Sequence, residues 1–148
     1  MTIFFDMDGT LADFYGQASW LELLRAENPA PYKRAGVLLN MNTLARQLNK
    51  LQAKGYRLGI ISWLSKNATT AYNHSVTTAK IAWLRKHLHS VQWDIVHIVP
   101  YGTPKEQFME TYTDILFDDE EKNRLAWDGV PYAPSEITKV LNTLLHGE

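Results

Sequence analysis

The chain has 148 residues, 45% of them apolar and 21% charged, enough for one compact domain with an ordinary core and too few for two full ones. Its 15 basic and 16 acidic residues are mixed along the sequence and leave a formal net charge of -1, so no polybasic stripe points to a nucleic acid or a membrane surface. Cysteine is absent, which excludes disulfides, thiolate metal sites and cysteine nucleophiles and suits a reducing cytoplasm.

Met1-Thr2-Ile3-Phe4-Phe5 is apolar, has no basic segment before it and stops at Asp6 and Asp8, so it is expected to be a buried first strand rather than a signal peptide or a membrane span. The span Thr10 to Asn40 does not follow strand or helix spacing throughout. It carries Phe14, Tyr15, Trp20 and Tyr32, a helix-like stretch at Leu21 and Leu24, and a break at Asn28-Pro29-Ala30-Pro31. It reads as a small cap inserted after the first strand, at about residues 11–40, in an otherwise single domain covering 1–148. Leu44, Leu48 and Leu51 have helical spacing with Gly55 at the C-cap, and Tyr56 to Ile61 is a second strand ending at Ser62. The polar stretch Ser65 to Thr78 reads as an exposed loop or a helix start.

Ile81, Leu84 and Leu88 place a helix over Thr78 to His89, followed by a third strand at Ile95 to Val99. Thr103-Pro104-Lys105-Glu106 has the form of a capping box and predicts a helix start with Thr103 as N-cap. Ile115 to Phe117 is a fourth strand ending on Asp118 and Asp119. A short helix through Leu125 and Trp127 leads to a fifth strand at Val130 to Ala133, and Ser135 opens a last helix with Ile137, Val140, Leu141 and Leu144 inward. Such alternation predicts an α/β domain: a Rossmann-like parallel sheet with helices on both faces and ligands bound beyond the strands' carboxyl ends.

The candidate chemical groups fall at those ends. Two carboxylates two positions apart, with Gly9 permitting a tight turn, can face one pocket, where one attacks and the other handles protons. The same Asp-Met-Asp-Gly string also reads as an ordinary turn. Asp118 and Asp119, together with Asp6, supply the hard oxygen ligands that magnesium prefers, or else an acidic helix N-terminus. For Glu120 and Glu121 the second reading is preferred. Ser62 and the backbone N–H groups after it, at Trp63 onward, can cradle a phosphate, and Lys105 stands where a helix dipole disfavours a cation, which suggests an anionic partner. Trp20 and Trp63 are the tryptophans placed to face a pocket, and none of the five histidines has metal-ligand spacing.

Taken in order, these segments resemble the four motifs of the haloacid dehalogenase (HAD) superfamily of phosphohydrolases: Asp6-Met7-Asp8-Gly9-Thr10, Ser62, Lys105, and Asp118-Asp119 with Asn123. The resemblance implies that Asp6 is the nucleophile and Asp8 the acid and base, with Ser62, Trp63 and Lys105 around the substrate phosphate. It also implies magnesium held by Asp6, the Asp8 carbonyl and the acidic pair, with Asp119 the direct ligand and Asp118 beside it. The acid at Asp8 favours a phosphatase over ion pumps and dehalogenases of that superfamily. The string Asp6 to Phe14 is similar to the deoxyribonucleotidase branch, which implies a nucleoside monophosphate substrate with Phe14 packed on it; the cap is shorter than in that branch. Another small phosphate ester, a nucleic acid end, or a catalytically idle phosphate-binding protein are the alternatives.

Overall fold

The computed structural model describes residues 1–147. In chain order the elements are β1 (Thr2–Phe5), β2 (Ala12–Asp13), α1 (Trp20–Arg25), α2 (Ala30–Arg34), β3 (Gly36–Val37), α3 (Met41–Ala53), β4 (Arg57–Trp63), α4 (Thr70–His87), β5 (Ile95–Val99), β6 (Ile115–Phe117), α5 (Glu121–Ala126), β7 (Val130–Tyr132) and α6 (Ile137–His146). Five strands form one parallel sheet in the order β5-β4-β1-β6-β7. β1 is its central strand, and the order of connections reverses there: the chain moves outward to β4 and β5, then returns past β1 to β6 and β7. In open α/β sheets a ligand crevice forms at such a reversal.

Period-two alternation divides the sheet's side chains between two faces. Ile3, Phe5, Leu58, Ile60, Ile115 and Phe117 face a large core completed by Leu44, Leu48 and Leu51 of α3, by Trp83 and Leu84 of α4, and by Ile137 and Leu141 of α6. Phe4, Ile61 and Leu116 face the other way, under Trp127, Phe108 and Met109. The ring of Phe4 lies 5.8 Å from that of Trp127, nearly edge-on. The backbone of Gly59 accommodates Phe4, since a Cβ there would come within 2.5 Å of its ring.

Several boundaries differ from the sequence reading. α4 begins at Thr70, eight residues before the expected start; the Thr69 hydroxyl caps it by accepting from the Tyr72 N–H. β4 runs one residue past Ser62, to Trp63. The expected capping box at Thr103 does not form: a four-residue 3-10 turn, Lys105–Phe108, occupies that segment, and the Thr103 hydroxyl donates instead to the Pro100 carbonyl. The segment between Thr10 and Asn40 holds two short helices and the β2–β3 ribbon. The break at Asn28-Pro29-Ala30-Pro31 starts α2, because proline is well tolerated in a helix's first turn. This segment packs Phe14 and Tyr32 against Tyr72, Val76 and Ala79 of α4.

Candidate active site

The first acidic turn is built by the backbone. The Met7 carbonyl accepts from the N–H groups of Thr10, Leu11 and Ala12, and Gly9 takes φ +81°, a left-handed conformation that glycine adopts without strain. A Cβ on Gly9 would collide with the carboxylate of Asp119, so the bare glycine also permits the two acidic loops to meet. The Asp6 N–H donates to the Phe117 carbonyl at 2.9 Å, continuing the ladder of β1 with β6 by one residue. Asp6 and Asp118 therefore leave adjacent strand ends side by side.

Lys105 lies between them. Its Nζ donates to Asp6 Oδ1 at 3.0 Å and to Asp118 Oδ2 at 2.7 Å, and the residue is only 2% exposed. Burial alone would lower its pKa, but the two carboxylates outweigh that and hold the ammonium firmly charged. The position of Lys105 is thus explained by the carboxylates it faces, not by a helix dipole, since no α-helix starts there. Thr10 Oγ1 donates to Asp6 Oδ2 at 3.2 Å.

Asp118 is fully buried and its oxygens are engaged. Oδ1 accepts from the Glu120 N–H at 2.9 Å, and Oδ2 accepts from Asn123 at 3.2 Å as well as from Lys105. Asp119 is partly exposed and closes a group in which one oxygen each from Asp6, Asp118 and Asp119 lie within 4.8 Å of one another. Burial and mutual repulsion raise the pKa of both Asp118 and Asp119. Three crowded hard oxygens with this unfavourable charge match what a divalent cation such as magnesium requires, and a cation there would relieve the repulsion.

Asp8 has a different partner. Lys80, on α4 and 1% exposed, donates from Nζ to Asp8 Oδ2 at 3.0 Å, to Ser62 Oγ at 2.6 Å and to the Trp63 carbonyl at 2.7 Å. Burial raises the Asp8 pKa, with Lys80 opposing and Asp6 reinforcing. The sequence reading included Lys80 in its helix over Thr78 to His89 but missed its role, because it took Ile81, Leu84 and Leu88 as the inward face. With the helix begun at Thr70, Lys80 falls on the inward face in series with Tyr72, Val76 and Leu84, and a lysine at an apolar helical position is a signal that something anionic lies inside.

Asp6, Asp8, Lys105, Asp118 and Asp119 open on one cavity of about 280 Å³. Aromatic rings make up much of its remaining wall, with Phe14, Tyr15, Trp20 and Tyr32 on the 11–40 segment and Trp63 and Tyr101 on the sheet side, beside Leu21, Leu24 and Lys66. Trp63 donates its indole N–H to the Thr103 carbonyl at 2.8 Å and carries Lys105 Nζ 5.3 Å from its ring centroid. Two sequence expectations shift in place. Ser62 is completely enclosed and meets Lys80 instead of lining the cavity. Phe14 is 2% exposed and stacked on Tyr32 at 4.5 Å, so it supports the wall, while Tyr15 at 48% exposure presents the open ring.

No protein-family model and no curated protein sequence matches this chain. Solved structures do resemble it. A D,D-heptose 1,7-bisphosphate phosphatase from B. bronchiseptica, complexed with magnesium and phosphate, superposes with a TM-score of 0.62 at 12% identity over 99% of this chain and 99% of that one. A candidate HAD-like phosphatase from Mesorhizobium loti gives 0.59 at 14% identity, over 98% of this chain and 86% of that one. The D,D-heptose 1,7-bisphosphate phosphatase from Burkholderia thailandensis gives 0.50 at 12% identity, over 84% and 70%. At these identities what is shared is the architecture: the chain has the fold of HAD-like phosphatases.

Proposed function

We propose that the protein is a magnesium-dependent phosphomonoesterase that works through an aspartyl-phosphate on Asp6, with nucleoside monophosphates as its substrates. The observation that carries the reading is the separation of two acidic groups. Asp6, Asp118 and Asp119 form a cation site bridged by Lys105, while Asp8, two residues from Asp6, is held apart by Lys80. A cation-binding protein has no need of the second arrangement. The fold shared with magnesium-bound and phosphate-bound phosphatases supports it.

In this reading an Asp6 carboxylate oxygen attacks phosphorus as the ester P–O bond breaks, and Asp8 gives its proton to the leaving oxygen. The raised pKa of Asp8 suits a group that must hold that proton at the outset. Asp8 then takes a proton from the water that attacks the phospho-aspartate and frees phosphate. Lys80 keeps Asp8 in place, and Lys105 neutralises charge beside Asp6. Asp6, Asp119 and the Asp8 carbonyl, with Asp118 beside them, would hold magnesium, which would supply charge stabilisation on the phosphoryl oxygens. The engaged oxygens of Asp118 favour Asp119 as the direct ligand.

The substrate follows from the walls. Tyr15, Trp20, Trp63 and Tyr101 offer ring faces and edges that suit a planar base, in line with the likeness of the Asp6 to Phe14 string to deoxyribonucleotidases. A sugar phosphate is the second reading, favoured by the substrate named for the heptose bisphosphate phosphatases. The chain acts in this reading as one domain with the 11–40 segment as its cap, and its cysteine-free composition fits a cytoplasmic enzyme. Among the described residues no helix is long and apolar enough to cross a membrane.

The test is a screen of nucleotides and sugar phosphates with magnesium and with chelator. Turnover should require magnesium, prefer nucleotides, and fall by at least about 10³-fold in Asp6→Asn, the order expected when a nucleophile is lost. Equal residual rates in wild type and Asp6→Asn would sink the enzyme reading. An unchanged substrate preference in Phe14→Ala would show that Phe14 does not support the base-binding wall from behind.

A further inference from the structure

The catalytic cavity does not end at its aromatic walls. A second groove of about 380 Å³ adjoins it and shares Leu21, Leu24 and Lys66 with it, then continues past Arg25, Glu27 and Asn67. The two cavities are neighbours, with Leu21 and Leu24 of α1 and Lys66 of the turn after β4 lining both. Arg25 is the last residue of α1, and Lys66 lies three residues after the end of β4.

The charge of the second groove alone is unbalanced toward the positive, Arg25 and Lys66 standing against Glu27. Among the described residues, neither Arg25 nor Lys66 makes an ion pair, and no side-chain hydrogen bond engages either. The groove's one carboxylate, Glu27, is already occupied: Oε2 accepts from the Thr69 N–H at 2.9 Å and Oε1 from the Thr69 hydroxyl at 2.8 Å. Lys66 Nζ stands 5.8 Å from the ring centroid of Tyr101, which is half exposed and packs on Trp63 at 5.0 Å. The cavity that holds Asp6 thus also holds the Trp63 and Tyr101 rings and Lys66, and Arg25 lies in the adjoining groove.

We propose that this groove is a second phosphate subsite, so that the preferred substrate is a nucleotide carrying another phosphate one nucleoside away from the one removed. This rests on the phosphatase reading above and deepens it. The shared chemistry has two sources, a free nucleoside 3',5'-bisphosphate and the 5'-phosphorylated end of an oligonucleotide. In both, the base lies along Tyr101 and Trp63 while Lys66 and Arg25 meet the outer phosphate. A nucleoside monophosphate leaves the two cations without a partner.

The experiment measures binding, separately from turnover, by the tryptophan fluorescence of the full chain with magnesium. Asp6→Asn is the host protein, to prevent hydrolysis. The probes are adenosine 5'-monophosphate, adenosine 3',5'-bisphosphate, a 5'-phosphorylated dinucleotide and fructose 1,6-bisphosphate. The nucleoside bisphosphate should bind roughly tenfold more tightly than the monophosphate, the gain expected from two solvent-accessible cation contacts. Arg25→Ala with Lys66→Ala should reduce that ratio to below about twofold, and the milder Lys66→Gln should reduce it part of the way. Equal affinity for the two adenosine probes, or a ratio that survives the double substitution, overturns the proposal. So does fructose 1,6-bisphosphate binding as tightly as the nucleoside bisphosphate, because the rings would then contribute nothing. A dinucleotide that matches the bisphosphate supports the subsite and identifies a nucleic acid end as the source; one that binds only like the monophosphate, while the bisphosphate keeps its advantage, supports a free nucleotide. If wild type hydrolyses no ester, the phosphatase reading fails, and the affinity ranking still decides the subsite.

Discussion

Gly9 shows how a single residue type couples backbone shape to the chemistry above it. Its φ of +81° is the left-handed value that the first acidic turn needs, and the space where a Cβ would stand is filled by the Asp119 carboxylate. Alanine at this position has two demands to meet at once: strain of about 1 kcal/mol from the backbone, and displacement of Asp119 from Asp6 and Asp118. The second is the larger for function, because a cation site depends on all its oxygens converging. Gly9→Ala should therefore lower magnesium affinity at least about tenfold while the protein stays folded, since a lost ligand contact of roughly 1.4 kcal/mol suffices. Thermal shift against magnesium concentration reads both quantities together. A variant with lowered stability and unaltered magnesium response would show that Asp119 does not touch the metal.

At the scale of elements, the strand ends are held by a residue that takes no part in the chemistry. Asp114 precedes β6, is fully buried, and accepts from the N–H groups of Thr2, Glu110 and Thr111 and from the Thr111 hydroxyl, at 2.8, 2.9, 3.1 and 3.0 Å. Burial alone would raise its pKa, but these donors hold it below the ordinary carboxylate value. Its contribution is thus present above the unfolded-state value of 3.8 and is lost as pH falls through the lowered folded value. Asp114→Asn turns an amide donor toward donors and should cost about 2–3 kcal/mol at neutral pH. Urea unfolding at pH 7 and near pH 3 tests this: the gap between wild type and variant should narrow at the lower pH, and a gap that widens would contradict the assignment.

Element placement also explains which parts of the site were legible in the sequence. β1 and β6 are short apolar runs cut off by acids, so Asp6, Asp8, Asp118 and Asp119 were assigned to strand ends without any knowledge of packing. The parallel sheet followed from alternation alone. Lys105 was singled out for the wrong physical reason, because its neighbours imitate a capping box while its true partners lie 99 and 13 residues away. The role of Lys80 was not found, since α4 mixes small and polar residues along its first turns and its apolar face is weak until the whole helix is laid out. The aromatic segment stood out because it breaks the strand–helix alternation, but its fold rests on contacts with α4, which no local pattern records.

Across the whole molecule those contacts decide how the 11–40 segment, the proposed cap, behaves. Four polar links join it to the β4–α4 region: the Tyr32 hydroxyl with Ser65 Oγ at 2.6 Å, the Tyr72 hydroxyl to the Asn28 carbonyl at 3.0 Å, the Trp83 indole N–H to the Ala35 carbonyl at 2.8 Å, and Glu27 with Thr69. Beneath them Phe14 and Tyr32 share one apolar cluster with Tyr72, Val76 and Ala79. A cap so tied has little to gain by melting alone, because its release would expose the cluster and leave buried hydroxyls unpaired. The expected behaviour is one cooperative transition, with near-ultraviolet and far-ultraviolet circular dichroism coinciding on heating. Tyr32→Phe removes the buried hydroxyl pair and should cost about 1–2 kcal/mol, shifting the midpoint of both signals together by roughly 3–6 °C. If instead the near-ultraviolet signal of the aromatic cap were lost first, with the far-ultraviolet midpoint unmoved, the cap would be a separate unit that opens on its own. Substrate entry would then be governed by that opening instead of by the shape of a standing cavity.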